Sequence, residues 1–242
     1  MKDTLYRSTD EPLKPFEFNK RVVDVFPDMI ERSVPGYPLT ISMIGVMADE
    51  YAQENTNVYD LGCSLGAVSF AIQQGLEAGM KNKKCKIIAV DNSQAMIDAC
   101  IKNIPNEAQN LEFVLQNILD TEIINASVVV MNFTLQFIPL EQRNNLIKKI
   151  FKGLLPGGVL ILSEKIIFDD EIENETMNHL HHHMKALNGY EKLEIAGKRD
   201  ALEDVLMPES IETHLGRLNS CDFKNSFVWL KCFNFMSLIA VK

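Results

Sequence analysis

Cysteine is sparse in this 242-residue chain, tryptophan occurs once, and no apolar run approaches the roughly 18 residues needed to span a membrane. The five cysteines (Cys63, Cys85, Cys100, Cys221 and Cys232) include no C-x-x-C pair, and their number is odd. That argues against a disulfide framework and against a zinc knuckle, and it predicts reduced thiols in a cytoplasmic protein. The opening stretch MKDTLYRSTDEPLKPFEFNKR lacks the apolar centre of a secretory leader. Positive charge is short as well: 24 Lys and Arg stand against 33 Asp and Glu, a net charge of −9. The densest basic groups (Lys81, Lys83, Lys84, Lys86; Lys148, Lys149, Lys152) read as solvated faces. Polyanions are repelled at long range, so direct nucleic-acid binding is not expected and a small-molecule substrate is.

Hydrophobic residues are plentiful at 46%, enough for a sizeable core. Residues 1–39 mix charge, proline and aromatics, and end in the turn-rich Ser33-Val34-Pro35-Gly36-Tyr37-Pro38. Ile44, Met47, Ala48 and Tyr51 then repeat at helical spacing. From Val58 onward strands and helices alternate. The predicted strands are Val58–Asp60, Lys86–Asp91, Leu111–Gln116, Val128–Met131 and Val159–Leu162. Helices are predicted over 67–79, after an N-cap at Ser93, and through the stripe Leu146, Ile147, Ile150, Phe151 and Leu154. Such alternation indicates an α/β fold, a doubly wound, mostly parallel sheet covered on both faces. Ser226–Cys232 and Phe235–Val241, joined near Phe233-Asn234, predict a closing antiparallel hairpin. Residues 165–209 break the alternation and read as a helical insertion after the fifth strand, beside the crevice where such sheets bind ligands. The expected organisation is one domain over 1–242, with a helical N-terminal cap over 1–56 and the insertion acting as a lid.

Chemistry concentrates at strand ends. Asp60-Leu61-Gly62-Cys63-Ser64-Leu65-Gly66 follows a strand and opens a helix. Glycines let the backbone turn and approach a ligand, and helix-start amides suit a carboxylate. An acid two residues before the first glycine suits the ammonium of a methionine moiety, which a pyrophosphate lacks. The spacing therefore favours S-adenosylmethionine over a dinucleotide. Asp91 ends the second strand, where a carboxylate accepts ribose hydroxyls, unless it only charges a helix start; Asn92 shares that site. Asn117-Ile118 pair with and pack on adenine, or form a simple turn. Asn132 ends the fourth strand at the crevice mouth, or makes an Asx turn there.

Several segments resemble one family. They include Val25-Phe26-Pro27-Asp28-Met29-Ile30, Arg32 to Tyr37, Val58 to Ala67, Lys86 to Ser93, Asn132 to Phe137, Leu162 to Lys165, Asn188-Gly189-Tyr190, Lys198-Arg199 and Cys232 to Phe235. Together they run nearly end to end, and the chain resembles the carboxy-S-adenosylmethionine synthases of the class I methyltransferase superfamily. The resemblance implies the Rossmann-like methyltransferase fold and a homodimer. It implies conversion of S-adenosylmethionine and prephenate to carboxy-S-adenosylmethionine, phenylpyruvate and water. The product then serves a separate tRNA-modifying enzyme that carboxymethylates wobble uridine. The binding positions it implies are Tyr37, Gly62, Cys63, Ser64, Asp91, Asn92, Asn117, Ile118, Asn132 and Arg199. The chain departs from the family pattern at Asn117, where Asp is usual, and in a histidine run longer than the pair matching His181 and His182.

The product's extra carboxylate needs a cation, preferably a planar bidentate one. Arg199 is the candidate, with Arg32 and Lys198 as weaker ones; the bland reading of Arg199 is a solvated helix-end arginine. Arg199 and Tyr37 are the residues expected to act in the reaction, with Tyr37 closing over the ligand or merely packing after its proline turn. Glu164 either faces substrate or caps the next segment. His179, His182 and His183 have helical spacing, but no metal is assigned to them. Two rival readings stay open: an ordinary S-adenosylmethionine-dependent methyltransferase acting on a small molecule or tRNA, and a non-enzymatic carrier of an adenosyl ligand.

Overall fold

The computed structural model describes residues 1–5, 16–79, 83–103 and 110–242. Residues 6–15 of the opening stretch and Lys81 lie outside the described residues. Seven strands form one sheet: β1 (Thr56–Leu61), β2 (Cys85–Asp91), β3 (Leu111–Leu115), β4 (Ala126–Asn132), β5 (Leu154–Lys165), β6 (Asn225–Cys232) and β7 (Phe235–Val241). Their order is β3-β2-β1-β4-β5-β7-β6. The first five are parallel, and β7 runs antiparallel between β5 and β6. Ser127 to Met131 of β4 are fully buried, the continuous apolar run of a strand covered on both faces. The hairpin turns at Phe233, whose φ is +49°. Successive connections leave β1 in opposite directions, so the crevice opens at the carboxyl ends of β1 and β4.

Strand β5 is longer than its apolar core Val159–Leu162 suggests. Pro156-Gly157-Gly158 reads as a turn, yet Gly157 donates to the Lys242 carbonyl and Lys242 donates to that of Gly158. Partners at the far end of the chain thus draw this stretch into the sheet. On the flanks, α3 (Tyr37–Tyr51) crosses α4 (Ala67–Ala78) closely. A Cβ on Gly45 would stand 2.6 Å from the Ala71 carbonyl oxygen, so glycine permits the approach. Ser93 caps α5 (Gln94–Asn103) by accepting from Met96 N at 3.3 Å.

Three further elements hold the site's outer wall. Helices α7 (Glu171–Leu187) and α8 (Lys192–Leu202) form the insertion, and α2 (Phe26–Ser33) lies in the N-terminal segment. Polar contacts tie them together. His181 Nε2 meets the Ser33 carbonyl at 2.8 Å, Asn188 Nδ2 donates to Arg32 O at 3.1 Å, and Tyr190 donates to Asp3 at 2.6 Å. Arg32 is bound by Asp28 and stacks 3.9 Å over the Tyr190 ring. The helix α9 (Ile211–Ser220), capped by Ser210, has no counterpart in the sequence reading. Arg217 of α9 pairs with Glu209 and donates to Asn144 of α6 (Leu140–Gly153), and buried Arg143 of α6 donates to the same Glu209 and to the carbonyls of Ile138, Gln136 and Met207.

Candidate active site

The glycine loop makes one wall. Gly62 (φ +84°), Ser64 (φ +49°) and Gly66 (φ +79°) take left-handed backbone within five residues. A Cβ on Gly62 would lie 2.5 Å from the Thr134 side chain, so only glycine leaves that space open. Asp91 ties the loop to the next helix: one carboxylate oxygen accepts from Ser64 N and the other from Ser93 N, both at 2.8 Å. Burial raises its pKa against the pull of these amides. Each oxygen keeps a lone pair, so a ribose hydroxyl can still be accepted.

Behind this wall stands a single cavity of about 1490 Å³. That exceeds the roughly 300–1,000 Å³ usual for one small-molecule site. Gly62, Cys63, Ser64, Asp91, Asn92, Asn117, Ile118 and Asn132 all line it, as do Tyr37 and Arg199. The structure therefore brings together ten of the eleven residues singled out from sequence. Asp60 is the exception. It is 1% exposed, lies outside the lining, and accepts from Ser69 Oγ at 2.6 Å. Burial first, and the Asp91 charge second, push its carboxyl up to about 7. Its nearness to Tyr37 also opposes ionisation of that phenol, which burial already raises.

The side chains show what the wall can hold. Asn132 Oδ1 is buried with no partner among the described residues, an acceptor open to a ligand's donor. Asn117 Oδ1 accepts from Leu119 N at 2.9 Å, an Asx turn, which leaves its amide N–H groups for the cavity. Contact with Cys100 and burial push the Cys63 thiol far up, so it stays neutral. A glycine cradle, an unused acceptor and a carboxylate at the second strand's end fit an adenosyl ligand. Among the described residues no group of His, Cys, Asp and Glu is placed to hold a metal.

The opposite wall carries two groups that sequence reasoning passed over, Lys165 and Lys185, beside Lys198, which it ranks below Arg199. Lys165 ends β5, and Lys185 of α7 and Lys198 of α8 are buried, all three lining the cavity with His181 and His182. Arg199 lines it too, but its side chain is 67% exposed and its guanidinium bonds Asp200 through Nε (2.9 Å) and Nη2 (2.8 Å). Arg32 is engaged in the clasp around Tyr190 and is not part of the lining. Glu164 is buried and accepts from Leu135 N and Gln136 N, capping the 3₁₀ turn Leu135–Phe137. Burial pushes it up to about 8. The i,i+4 spacing of His181 and Lys185 on α7 was the available signal for this wall. A row of rings also lines the cavity: Tyr37 to Phe133 at 6.3 Å, Phe133 to Phe235 at 6.0 Å, and Phe235 to His181 at 4.9 Å.

A methyltransferase-domain family matches residues 58–158. A carboxy-S-adenosyl-L-methionine synthase of Aliivibrio fischeri is 47% identical over 242 residues, covering 99% of this chain and 98% of the relative. Its namesake in Pseudoalteromonas translucida is 48% identical over 245 residues, covering 100% and 99%. Among solved structures, magnesium protoporphyrin IX methyltransferase of Synechocystis PCC 6803 aligns with a TM-score of 0.59 at 14% identity, covering 88% of this chain and 87% of that one. That likeness concerns the fold alone. Near-half identity over both full lengths makes the chain a member of the carboxy-S-adenosyl-L-methionine synthase family.

Proposed function

We propose that this enzyme converts S-adenosyl-L-methionine and prephenate to carboxy-S-adenosyl-L-methionine, phenylpyruvate and water. The atoms balance: prephenate loses carbon dioxide and hydroxide as its ring becomes aromatic, the sulfonium methyl loses a proton, its carbon bonds the carbon dioxide, and proton and hydroxide make water. The product would feed a separate enzyme that carboxymethylates wobble uridine in tRNA, in the cytoplasm. Full-length identity to relatives named for this activity supports the reading. The structural observation that carries it is one cavity lined both by the glycine loop and by the Arg199-bearing helix.

In this reading Gly62, Cys63 and Ser64 cradle the methionine end, and Asp60 stays beneath the loop, bonded to Ser69. Asp91 and Asn92 hold the ribose, Asn117 and Ile118 the adenine, and Asn132 Oδ1 accepts a ligand donor. Tyr37 closes over the sulfonium. Arg199 leaves Asp200 to pair with the new carboxylate, in its own subunit or across a homodimer. Residues 165–209 act as a lid that keeps water from the reacting carbon.

The test is incubation with both substrates and mass spectrometry. The expected product is S-adenosyl-L-methionine heavier by one carbon dioxide, with stoichiometric phenylpyruvate. Methyl transfer with release of S-adenosylhomocysteine, or no product from folded protein, overturns the proposal. Proteolysis of 165–209 that ligand leaves unchanged removes the lid, and a monomer by light scattering removes the dimer.

A further inference from the structure

Three lysines from three separate elements converge on one side of the cavity: Lys165 from the end of β5, Lys185 from α7 and Lys198 from α8. Lys185 and Lys198 are only 6% and 7% exposed. Their ammonium nitrogens stand 5.5 and 5.7 Å from the centre of the same Tyr190 ring. Among the described residues none of the three is ion-paired. Among the same residues, Lys198 Nζ donates to Ser33 Oγ at 3.0 Å.

The surrounding charges do not neutralise them. Asp3 and Asp28 favour the charged form of Lys198, and Asp3 also favours that of Lys185. Both acids are already engaged, Asp3 by Tyr190 and Asp28 by Arg32. Arg32 adds positive charge against Lys198, and Lys165 adds it against Lys185. His181 and His182 face the same cluster and are themselves held down by burial. Burial lowers Lys165, brings Lys185 to about 8 and brings Lys198 to about 7. A fold gains nothing by gathering unpaired ammonium groups in a buried wall, because desolvation and mutual repulsion both oppose it. An anionic ligand reverses both effects.

We infer that Lys165, Lys185 and Lys198 form an anion subsite that takes a carboxylate of a ring-bearing dicarboxylate, whose ring rests against Phe133 and Phe235. The inference deepens the function proposed above and rests on it. The three lysines come from β5, α7 and α8, whereas the glycine loop, Asp91 and Asn132 come from the ends of β1, β2 and β4, so the subsite is assigned to the second substrate and not to the nucleotide. Lysine fits such a subsite, because a point charge on a flexible stem can follow a ligand whose shape changes during reaction.

The test uses the full chain and the variants Lys165→Met, Lys185→Met and Lys198→Met. Methionine keeps the stem's apolar bulk and removes the charge. Calorimetry follows phenylpyruvate and prephenate binding to protein saturated with S-adenosylhomocysteine, and separately S-adenosyl-L-methionine binding. Each variant is expected to weaken the two carboxylates by roughly 30-fold while changing nucleotide affinity less than about threefold, with melting temperature not lowered. Wild-type binding should also take up protons near pH 8, seen as a buffer-dependent heat that Lys198→Met reduces. Equal loss of nucleotide affinity assigns the lysines to the methionine carboxylate and overturns the inference. Unchanged carboxylate binding overturns it as well. If wild type binds phenylpyruvate through the lysines but makes no carboxylated product, the reaction fails and the subsite stands. If product forms and the variants match wild type, the subsite alone fails; if wild type binds neither carboxylate, both fall.

Discussion

Lys198→Met removes a charge that the fold holds against its own stability. In the folded chain this lysine releases its proton at about 7, against 10.5 when solvated. Between those values the unfolded chain binds more protons than the folded one, so stability rises with pH, by about 1.4 kcal/mol per pH unit for one group. Below about 7 both states are charged and the full penalty is present, on the order of 5 kcal/mol. Relaxation around the site and the shared repulsion with Lys185 reduce what one substitution recovers. We expect Lys198→Met to gain about 2–3 kcal/mol at pH 6.5, or roughly 4–12 °C in Tm for a domain of this size. Urea unfolding of ligand-free wild type and variant at pH 6.5 and 9.5 measures it. The difference between the two proteins should shrink as pH rises, because the wild-type penalty fades while the variant has none. A variant less stable than wild type at pH 6.5, or a difference independent of pH, refutes the account of Lys198 as an unpaired buried cation.

Gly62→Ala should lower S-adenosyl-L-methionine affinity by roughly 100-fold in calorimetry, since the new Cβ meets Thr134 at a positive φ; affinity within about threefold of wild type refutes the cradle. Asn117→Asp should tighten that affinity by about fivefold, because one carboxylate oxygen keeps the turn to Leu119 N while the other accepts from the adenine amine; no gain removes residue 117 from the adenine. Arg143→Met should destabilise the chain by about 3–5 kcal/mol in urea, leaving Glu209 with Arg217 alone and the carbonyls of Ile138 and Met207 without the arginine's N–H groups; a loss under about 1 kcal/mol refutes the buried cluster.

Local signals explain what could be read from sequence. Apolar runs ending in Asp91 and Asn132, the glycines of the loop, the Ser93 cap and the Phe233-Asn234 turn each act over a few residues, and the structure has each where the spacing puts it. The clasp around Tyr190 is different. Asp3 meets Tyr190 across 187 positions, and Lys198 meets Ser33 across 165. No periodicity carries such pairings, so the burial of Lys198 was invisible while exposed Arg199 beside it stood out. Asp60 shows a second limit. Its spacing before Gly62 singles it out, but spacing does not say which way a strand side chain points, and here it points to Ser69.

The division between the two walls bears on why this fold would carboxylate a sulfonium where others donate its methyl group. Strand ends carry the glycine loop, Asp91 and Asn132, on a fold shared with a protoporphyrin methyltransferase at 14% identity. The cationic wall comes from the end of β5 and from α7 and α8, which are tied to α2. Methyl transfer places growing positive charge on the acceptor, which unpaired ammonium groups nearby oppose. Proton loss from the methyl places negative charge on carbon, which the same groups favour. Electrostatics fixed before the reaction acts on the charge that develops in the transition state. A wall of lysines therefore disfavours the superfamily's ordinary chemistry and favours the proposed one, and neutralising it should release whatever residual methyl transfer the nucleotide wall permits.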